Sequence, residues 1–533
     1  MRLPRVHTGA LTITPVTLDQ LKRVLFSLPN KTSQIEGDIP VKILKIGFPL
    51  IGRYLLRIIN ASFVSECVPR CWKQAIVIPL YKKDDPSVAS NFRPITLVPV
   101  ISKIVERLVH EQLTTYLRDY HIFSEDQHGF LAKHSTSTAL LTVTDEILNS
   151  MDRSEVSLLT LIDLSRCFDV ISHDMLLTKL ELLRISTGWF RNYLSEHEQR
   201  VRIGNTLSES LPIQIGTFQG TCLGPLLYSI ASNDLSCYIP REINGFRIMT
   251  VRYADDTQLA ISGPRNRLAE MEQCLEQVLD SMCTWFMQNN MKINASKTEM
   301  IMCGDRRQLA RIDRPVYVTF LGKRLECTDE VKNLGVVMDK HLTWDSHVKR
   351  LTDRCFGTLI GLANAKHVLP REVLPMLIDS LVMSHVRYCV QVYGSAGSTT
   401  IAKLQKVFNF SARILFNRRK YDHISDALAE LDWLNARQFV EYSDLCMLHK
   451  VISSGCPEVL ASRFRFNHEV VSRVTRQSNH LALDKPRTNH GKRTFTYRSS
   501  QLYNGAREHT DFDVREFTVR AFKRVAREVV KTG

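Results

Sequence analysis

Apolar positions along the chain follow two different periods. From Ile101 onward they recur every three or four residues, and residues 268–286 show the same spacing, so both segments predict helices. Residues 156–164 are instead a short, almost unbroken apolar run, which indicates a buried strand. In residues 249–262, β-forming residues flank a polar tip, which predicts a β-hairpin. Helices and strands therefore mix along the chain, as in an α+β fold.

Two adjacent carboxylates, Asp255 and Asp256, stand at the tip of the predicted hairpin. Neighbouring carboxylates repel each other, and without a cation one of them tends to keep its proton. A divalent cation removes that penalty, so the tip is a candidate Mg²⁺ site. A solvated acidic turn is the alternative interpretation.

A third carboxylate, Asp163, lies near the end of the buried apolar run. A charge at the end of a buried strand requires compensation. An ion pair with a nearby Lys or Arg would provide it, and so would a metal site shared with Asp255 and Asp256. Carboxylates that hold two metal ions can position the attacking hydroxyl and the leaving pyrophosphate of a nucleotidyl transfer.

The composition is that of a folded, basic protein. Of the 533 residues, 44% are hydrophobic and 23% are charged, and the formal net charge is +15 at pH 7. This excess favours a polyanionic partner, most simply nucleic acid. An acidic membrane surface is the alternative. However, the most apolar early segment, residues 46–64, is interrupted by Arg53 and Arg57, which predicts an amphipathic helix and not a membrane span.

The cysteines and the N-terminus bear on the compartment. Thirteen cysteines are scattered without a Cys-x-x-Cys pair, which indicates a reducing environment. The first residues lack the apolar core of a signal peptide. We therefore expect an intracellular protein, in the nucleus, the cytoplasm or both, and not a secreted one.

The order of the acidic motifs resembles that of reverse transcriptases. Residues 162–169 (IDLSRCFD), 216–227 (GTFQGTCLGPLL) and 253–256 (YADD) are similar to motifs A, B and C of that family. Four further segments resemble its two fingers motifs and its motifs D and E: residues 91–109, 127–140, 285–300 and 331–348. The chain thus resembles the polymerase region of non-LTR retrotransposons of the jockey, CR1 and L2-like kind.

This resemblance implies a right-hand polymerase fold, with fingers, a palm built on an antiparallel sheet, and a helical thumb. We expect the following division of the chain: an N-terminal extension (1–75), fingers (76–150), a palm with motifs A to E (151–345), a helical thumb (346–462) and a basic C-terminal region (463–533). Neither an endonuclease nor an RNase H is recognisable, so the polymerase portion alone is expected.

The resemblance also implies catalytic roles. Asp163 and Asp255 are expected to bind both of two Mg²⁺ ions, with Mn²⁺ as a substitute, and Asp256 to support the same metal site. Lys297 matches the motif D lysine proposed to protonate the leaving pyrophosphate. A surface lysine held in a salt bridge is the alternative for Lys297.

A second set of residues matches family positions that contact the incoming nucleotide. Phe168 stands where the family has an aromatic ring beneath the sugar, which implies a steric gate against the 2′-hydroxyl of ribonucleotides. The alternative for Phe168 is a phenylalanine that only packs in the core, and the alternative for the basic residues of this set is a solvated surface charge. The expected nucleotide-binding residues are Lys82, Lys83 and Arg93 at the triphosphate, together with Phe168, Gln219, Gly220 and Tyr253.

The implied function is RNA-directed DNA polymerisation, in which dNTPs are added to a DNA 3′ end by two-metal nucleotidyl transfer. The expected partners are an RNA template, a DNA primer or target, and dNTPs, with no membrane; protein partners are left open. A maturase-like or telomerase-like polymerase is a second possibility, and a decayed remnant that only binds nucleic acid is a third. Two departures from the family pattern, Leu131 in place of arginine and Cys167 in place of alanine, bear on that third reading.

The C-terminal region carries much of the positive charge. Residues 463–533 contain sixteen Lys and Arg against seven Asp and Glu. Arginines and phenylalanines interleave from residue 463, which suits phosphate contacts with occasional base stacking. A basic surface helix packed through Phe517 and Val525 is the alternative, and the two interpretations are compatible.

Overall fold

The structure is a computed structural model that describes residues 8–30, 35, 37–165, 167–218, 220–470, 477–509 and 513–532. Its helices are α1 (Leu18–Ser27), α2 (Val41–Ser65), α3 (Val100–Asp119), α4 (Thr136–Asp152), α5 (His173–Leu182), α6 (Gly188–Leu194), α7 (Leu223–Ala231), α8 (Leu268–Gln288), α9 (Arg306–Leu309), α10 (Asp345–Ala365), α11 (Val373–Ile378), α12 (Ser384–Arg387), α13 (Val390–Tyr393), α14 (Ser398–Leu415), α15 (Ser425–Glu430), α16 (Ala436–Ser454), α17 (Glu458–Ala461), α18 (Asn467–Val470), α19 (Asn489–Arg493), α20 (Phe495–His509) and α21 (Val519–Thr532).

Its strands are β1 (Gln74–Tyr81), β2 (Phe92–Leu97), β3 (Val156–Ile162), β4 (Leu164–Ser165), β5 (His197–Ile203), β6 (Thr206–Leu207), β7 (Leu211–Ile213), β8 (Glu242–Ile243), β9 (Phe246–Tyr253), β10 (Asp256–Gly263), β11 (Lys292–Ile293), β12 (Glu299–Cys303), β13 (Tyr317–Phe320), β14 (Lys323–Thr328), β15 (Glu330–Asn333) and β16 (Val336–Asp339). The mixed α and β content confirms the broad fold class predicted from the sequence.

The chain packs as two compact units. The first unit combines residues 1–130, 164–240 and 280–294, and the second combines residues 131–163, 241–279 and 295–533. Each unit draws on segments that are distant in sequence, so neither unit follows one of the five segments expected from the motifs. The five-segment division stays a prediction.

The first unit contains a five-stranded sheet with the order β2-β1-β5-β6, in which β7 also pairs with β5. Helix α3 packs against α1 and α7, and α7 also packs against α5. The apolar positions expected on one side of α3 are buried, which confirms the helix predicted from residue 101. These helices and strands carry the segments that resemble the first fingers motif and motif B.

The second unit contains a seven-stranded sheet with the order β13-β14-β12-β3-β10-β9-β8. Strand β3 lies near its middle, paired antiparallel with β10 on one side and with β12 on the other. Six of its seven residues are buried, because the sheet covers both edges of the strand and helix α4 packs on it. The apolar run ending at Asp163 is therefore a central strand, as the sequence predicted.

The hairpin and the long helix predicted downstream of motif B are both confirmed. Strands β9 and β10 pair antiparallel from Tyr253 opposite Asp256 to Arg247 opposite Ser262. The expected apolar face of α8 is buried, including Leu275, Leu279 and Phe286.

Helix α4 also anchors the C-terminal part of the second unit. Asp145 accepts hydrogen bonds from the backbone N–H groups of Phe495 (2.6 Å) and Thr496 (3.0 Å) at the start of α20. Asp152, two turns further along the same face, accepts from the N–H of Thr488 (2.6 Å) at the start of α19. Each carboxylate thus satisfies free amides at a helix N-terminus and binds a distant segment to α4.

The structure corrects one expectation for the basic C-terminal region. Phe464 and Phe466 are 8% and 6% exposed and belong to the core of the second unit, so they are not available for base stacking. The interleaved pattern reflects packing, since Phe464 contacts the ring of Phe495 and the Arg515 guanidinium lies over Phe466. Phosphate contact by this region stays a prediction, and the exposed Lys and Arg side chains of α21 are available for it.

Residues after motif E form the helix-rich region that the sequence predicted. Helices α10, α14 and α16 pack in succession, and α16 also packs against α20 and α21. Over the described ranges, each helix is too short or too polar to cross a lipid bilayer.

Candidate active site

Asp163 lies in the gap between strand β3 and strand β4, at the end of the central strand of the second unit. The β3–β10 register pairs Ile162 with Thr257, so its extension by one residue places Asp163 opposite Asp256. The β3–β12 register pairs Leu161 with Glu299, and its extension by two residues places Asp163 opposite Lys297. Directly opposite residues point their side chains to the same face of a sheet. The three groups therefore form one row at the sheet end.

The hairpin tip brings the other predicted carboxylate to the same place. Tyr253 pairs with Asp256, so Ala254 and Asp255 form a two-residue turn. Ala254 has a φ of 58°, a value that two-residue hairpins require at their first central position and that alanine adopts at a cost of roughly 1–2 kcal/mol. Backbone strain of this kind is typical of functional sites.

The electrostatics of Asp256 reflect the two neighbouring carboxylates. The pKa of the Asp256 carboxyl is raised to about 6, by desolvation and by the charges of Asp255 and Asp163. The Asp256 residue is exposed to solvent, where desolvation is weak, so the two neighbouring charges matter most for this shift. The cluster is therefore one that favours a cation.

The residues fit a divalent metal in their chemistry. Asp163 Oδ2 is buried and has no hydrogen-bond partner among the described residues, so a lone pair remains for another ligand. Hard cations such as Mg²⁺ take oxygen ligands of this kind. Within the described ranges, no three Asp, Glu, His or Cys side chains lie close enough to hold a metal ion by themselves. Mg²⁺ sites that act on nucleotides commonly use one or two carboxylates and complete the shell with substrate phosphates.

Lys297 is brought to this row by the loop before β12. Its Nζ lies 3.7 Å from Asp163 Oδ2, and 58% of its side chain is exposed. An exposed pair at this distance contributes little to stability, about 0–1 kcal/mol. The contact is thus compatible with both sequence interpretations, a salt bridge and a mobile proton donor next to the metal site.

The sequence did not indicate how the hairpin of β15 and β16 is attached beside the site. Asn333 Nδ2 donates to Gln258 Oε1 (2.7 Å) in the interior, and Gln258 lies two residues after Asp256. The Tyr388 hydroxyl donates to the Leu334 carbonyl oxygen (2.6 Å) in the turn of the same hairpin. Burial raises the pKa of the Tyr388 hydroxyl, and the charge of the nearby Tyr253 raises it further. No spacing rule relates these residues, because their contacts join separate segments.

In the first unit, Phe168 is bound to the segment that resembles motif B. The Thr217 N–H donates to the Phe168 carbonyl oxygen (2.8 Å), and the Gly216 N–H donates to the Ile171 carbonyl oxygen (2.7 Å). The Phe168 ring is half-buried and packs against the rings of Phe130 and Tyr228, at centroid distances of 6.1 and 4.9 Å. The gate assignment stays a prediction, and this packing gives the ring a fixed place.

Other predicted nucleotide-binding residues of the same unit lie on strand β2 or next to it. Gly220 has a φ of 103°, and a Cβ there would lie 3.2 Å from the Thr96 carbonyl oxygen, so only glycine suits this position. Arg93 is exposed on the same strand, opposite Leu80. Lys82 follows β1, and its N–H donates to the Asn91 carbonyl oxygen (2.9 Å).

Two further predicted residues complete the set. Lys83 is exposed, and its Nζ lies 3.6 Å from Asp84 Oδ2. Gln219 lies outside the described residues. The triphosphate-binding roles of Lys82, Lys83 and Arg93 stay predictions. All three residues are exposed to solvent and therefore accessible to a ligand.

Known proteins are similar to this chain over much of its length. Residues 80–338 match the family described as Reverse transcriptase (RNA-dependent DNA polymerase). The chain is 28% identical over 413 residues to a probable RNA-directed DNA polymerase from transposon BS of Drosophila melanogaster, a match that covers 76% of this chain and 45% of that protein.

Two other relatives come from the same fly. The RNA-directed DNA polymerase from mobile element jockey is 26% identical, with 74% of this chain and 43% of that protein covered. The probable RNA-directed DNA polymerase from transposon X-element is 26% identical, with 68% of this chain and 40% of that protein covered. This chain therefore spans less than half the length of these curated relatives. It carries a match to the reverse transcriptase domain over residues 80–338, and it is similar in sequence to the RNA-directed DNA polymerases of these mobile elements.

Proposed function

We propose that this protein is an RNA-directed DNA polymerase that adds dNTPs to a DNA 3′ end on an RNA template. The observation that carries the proposal is the row of Asp163, Asp256 and Lys297 at the sheet end, with Asp255 in the adjoining turn. The family match over residues 80–338 supports the reaction class. The partners are an RNA template, a DNA primer or target, and dNTPs.

The chemistry follows from the charges at this sheet end. Asp163, Asp255 and Asp256 would hold two Mg²⁺ ions, which supply activation of the attacking 3′-hydroxyl and stabilisation of the leaving pyrophosphate. Asp163 Oδ2 has no hydrogen-bond partner among the described residues, so it can accept a ligand. Lys297, at 3.7 Å from that oxygen, is placed to give a proton to the leaving group.

We assign nucleotide recognition to the first unit. The cations Lys82, Lys83 and Arg93 bind the triphosphate, because phosphate oxygens are best met by charged donors. Phe168 excludes the ribose 2′-hydroxyl, and Gly220, which has no side chain, allows a nucleotide to come close to the backbone.

The same proposal extends to the right-hand fold. The sheet of the first unit would belong to the fingers, the seven-stranded sheet of the second unit to the palm, and residues 346–462 to the thumb. The position of the three carboxylates at the end of the central palm strands supports this assignment.

Primer extension on an RNA template tests the function. We expect the purified chain to extend a DNA primer with dNTPs in Mg²⁺ or Mn²⁺, and Asp255→Asn to abolish extension. Asp313→Asn, at an exposed aspartate of the second unit, is the matched control and should retain activity. RNA binding without any extension would contradict the proposal and favour a remnant that only binds nucleic acid.

The gate assignment makes a separate prediction. Phe168→Val should reduce the preference for dNTPs over rNTPs by about 10–200-fold, the range in which a small change in pocket volume acts. The competition between the two nucleotides in primer extension measures it. Tyr54→Leu changes a 72% exposed ring of the first unit and should leave the preference intact. An unchanged preference in Phe168→Val would refute the gate.

A further inference from the structure

A buried carboxylate in the first unit takes no part in the chemistry described above. Glu106, on helix α3, is 1% exposed. A carboxylate removed from water must be matched by several donors, because its desolvation is otherwise unfavourable by several kcal/mol. Its donors therefore reveal what it is for.

Both oxygens of Glu106 are occupied, and one of them is directed at the segment that resembles motif B. Oε2 accepts the backbone N–H groups of Cys222 (2.8 Å) and Leu223 (3.4 Å). Oε1 accepts the Tyr193 hydroxyl (3.1 Å) and lies 3.5 Å from the Ser102 hydroxyl. Helix α7 begins at Leu223, and its N-cap residue makes no side-chain cap of its own. Glu106 thus provides, from another helix, the cap that α7 lacks.

The loop before α7 is held from its other side through the same network. Tyr193 packs edge-on against the His197 ring (5.3 Å), and His197 packs edge-on against the Phe218 ring (4.6 Å). His173 Nε2 lies 2.8 Å from the Gly216 carbonyl oxygen. Residues 216–218 and 220–224 therefore have hydrogen-bond or ring contacts at both ends, and Glu106 supplies the carboxyl group among them.

We propose that Glu106 is a positioning residue for nucleotide binding: it fixes residues 220–224 through the start of α7, and so sets the affinity for the incoming dNTP. The inference rests on the proposed function, since Gly220 is one of these residues and the Thr217–Phe168 contact lies just before them. Glu106 touches neither the metal-binding carboxylates nor the reacting atoms in this role.

Two substitutions separate hydrogen bonding from charge. In Glu106→Gln, the amide oxygen can still accept both backbone N–H groups, and the NH₂ group can donate to the two hydroxyl oxygens. In Glu106→Leu, both N–H groups lose their acceptor. We expect the KM for dNTP to stay within about threefold in Glu106→Gln and to rise by about tenfold or more in Glu106→Leu, with a smaller change in kcat.

A matched variant tests whether the effect is merely structural. Asp145 is also 1% exposed and also caps a helix, α20, but in the second unit. Asp145→Ala and Glu106→Leu should both lower the melting temperature, and only Glu106→Leu should raise the KM for dNTP at a temperature where both variants are folded. Equal KM values for Glu106→Leu and the wild type would overturn the proposal.

Hydrogen exchange provides a readout that does not depend on polymerisation. The amides of Cys222 and Leu223 should exchange faster in Glu106→Leu than in Glu106→Gln or the wild type, while the amides of β10 stay unchanged. Exchange that is equal in all three proteins would also overturn the positioning role. A wild-type chain that fails to extend primers would refute the proposed function, and the exchange result would still decide whether Glu106 holds the loop.

Discussion

Replacing Asp163 by asparagine should reduce the rate of primer extension by about three orders of magnitude, because metal-assisted charge stabilisation is worth several kcal/mol and each 1.36 kcal/mol is a factor of ten. The substitution keeps the shape of the side chain and removes only its charge. Single-turnover extension at saturating dNTP measures the loss directly. Retention of a tenth or more of the wild-type rate would contradict the assignment of Asp163 to the metal site.

The free energy of unfolding of Asp163→Asn should not fall together with its activity. Desolvation and the charges of Asp255 and Asp163 together raise the pKa of Asp256, so the removal of one charge relieves repulsion in the folded state. The lost contact with Lys297 is exposed and worth about 0–1 kcal/mol. We therefore expect a free energy of unfolding that is unchanged or slightly higher. Glu299→Gln, at an exposed residue opposite Leu161, is the control and should affect neither quantity.

Replacing Arg498 by methionine should lower the free energy of unfolding by about 3–5 kcal/mol at pH 8, because it leaves a buried carboxylate without its partner. Arg498 on α20 donates to both oxygens of Asp444 on α16, at 3.0 to 3.2 Å, and Asp444 is 1% exposed. Denaturant unfolding measures the change. Arg437→Met removes an exposed pair with Glu441 from the same helix and should cost about 0.5 kcal/mol or less.

The destabilisation should depend on pH in a defined direction. Burial raises the pKa of Asp444 to about 6 against the pull of Arg498, so the folded state holds this proton more tightly than the unfolded state does. Stability from this group is therefore present at low pH and is lost as the pH rises through about 6. Without Arg498 the ionised form is still less favourable, so Arg498→Met should cost less at pH 5 than at pH 8. An equal cost at both values would refute the buried-charge explanation.

A double substitution checks the same mechanism. Asp444→Leu combined with Arg498→Met removes both charges, and it should recover a large part of the stability lost in Arg498→Met alone. If the double variant is less stable than the single one, the contacts of Arg498 with the carbonyl oxygens of Gln391 and Arg493 dominate instead.

Local sequence patterns were sufficient for the elements that carry the site. The periods of α3 and α8, the apolar run of β3 and the polar tip at Asp255 and Asp256 each depend on neighbours within a few residues, and all are confirmed. The motif order also resembled that of reverse transcriptases, and residues 80–338 match the model of that family. These signals are local, because secondary structure follows from side-chain periodicity and turn chemistry.

Contacts over long sequence distances were decided by the tertiary structure alone. No spacing rule relates Glu106 to Cys222 or Asp145 to Phe495. The two members of each pair are separated by 116 and 350 residues, respectively. The same reason explains the error at Phe464 and Phe466. Their interleaving with arginines suggested an exposed surface, but contacts with distant segments place both rings in the core of the second unit. The chain alone thus predicted which side chains would do the chemistry, and the packing of distant segments determined how they are held.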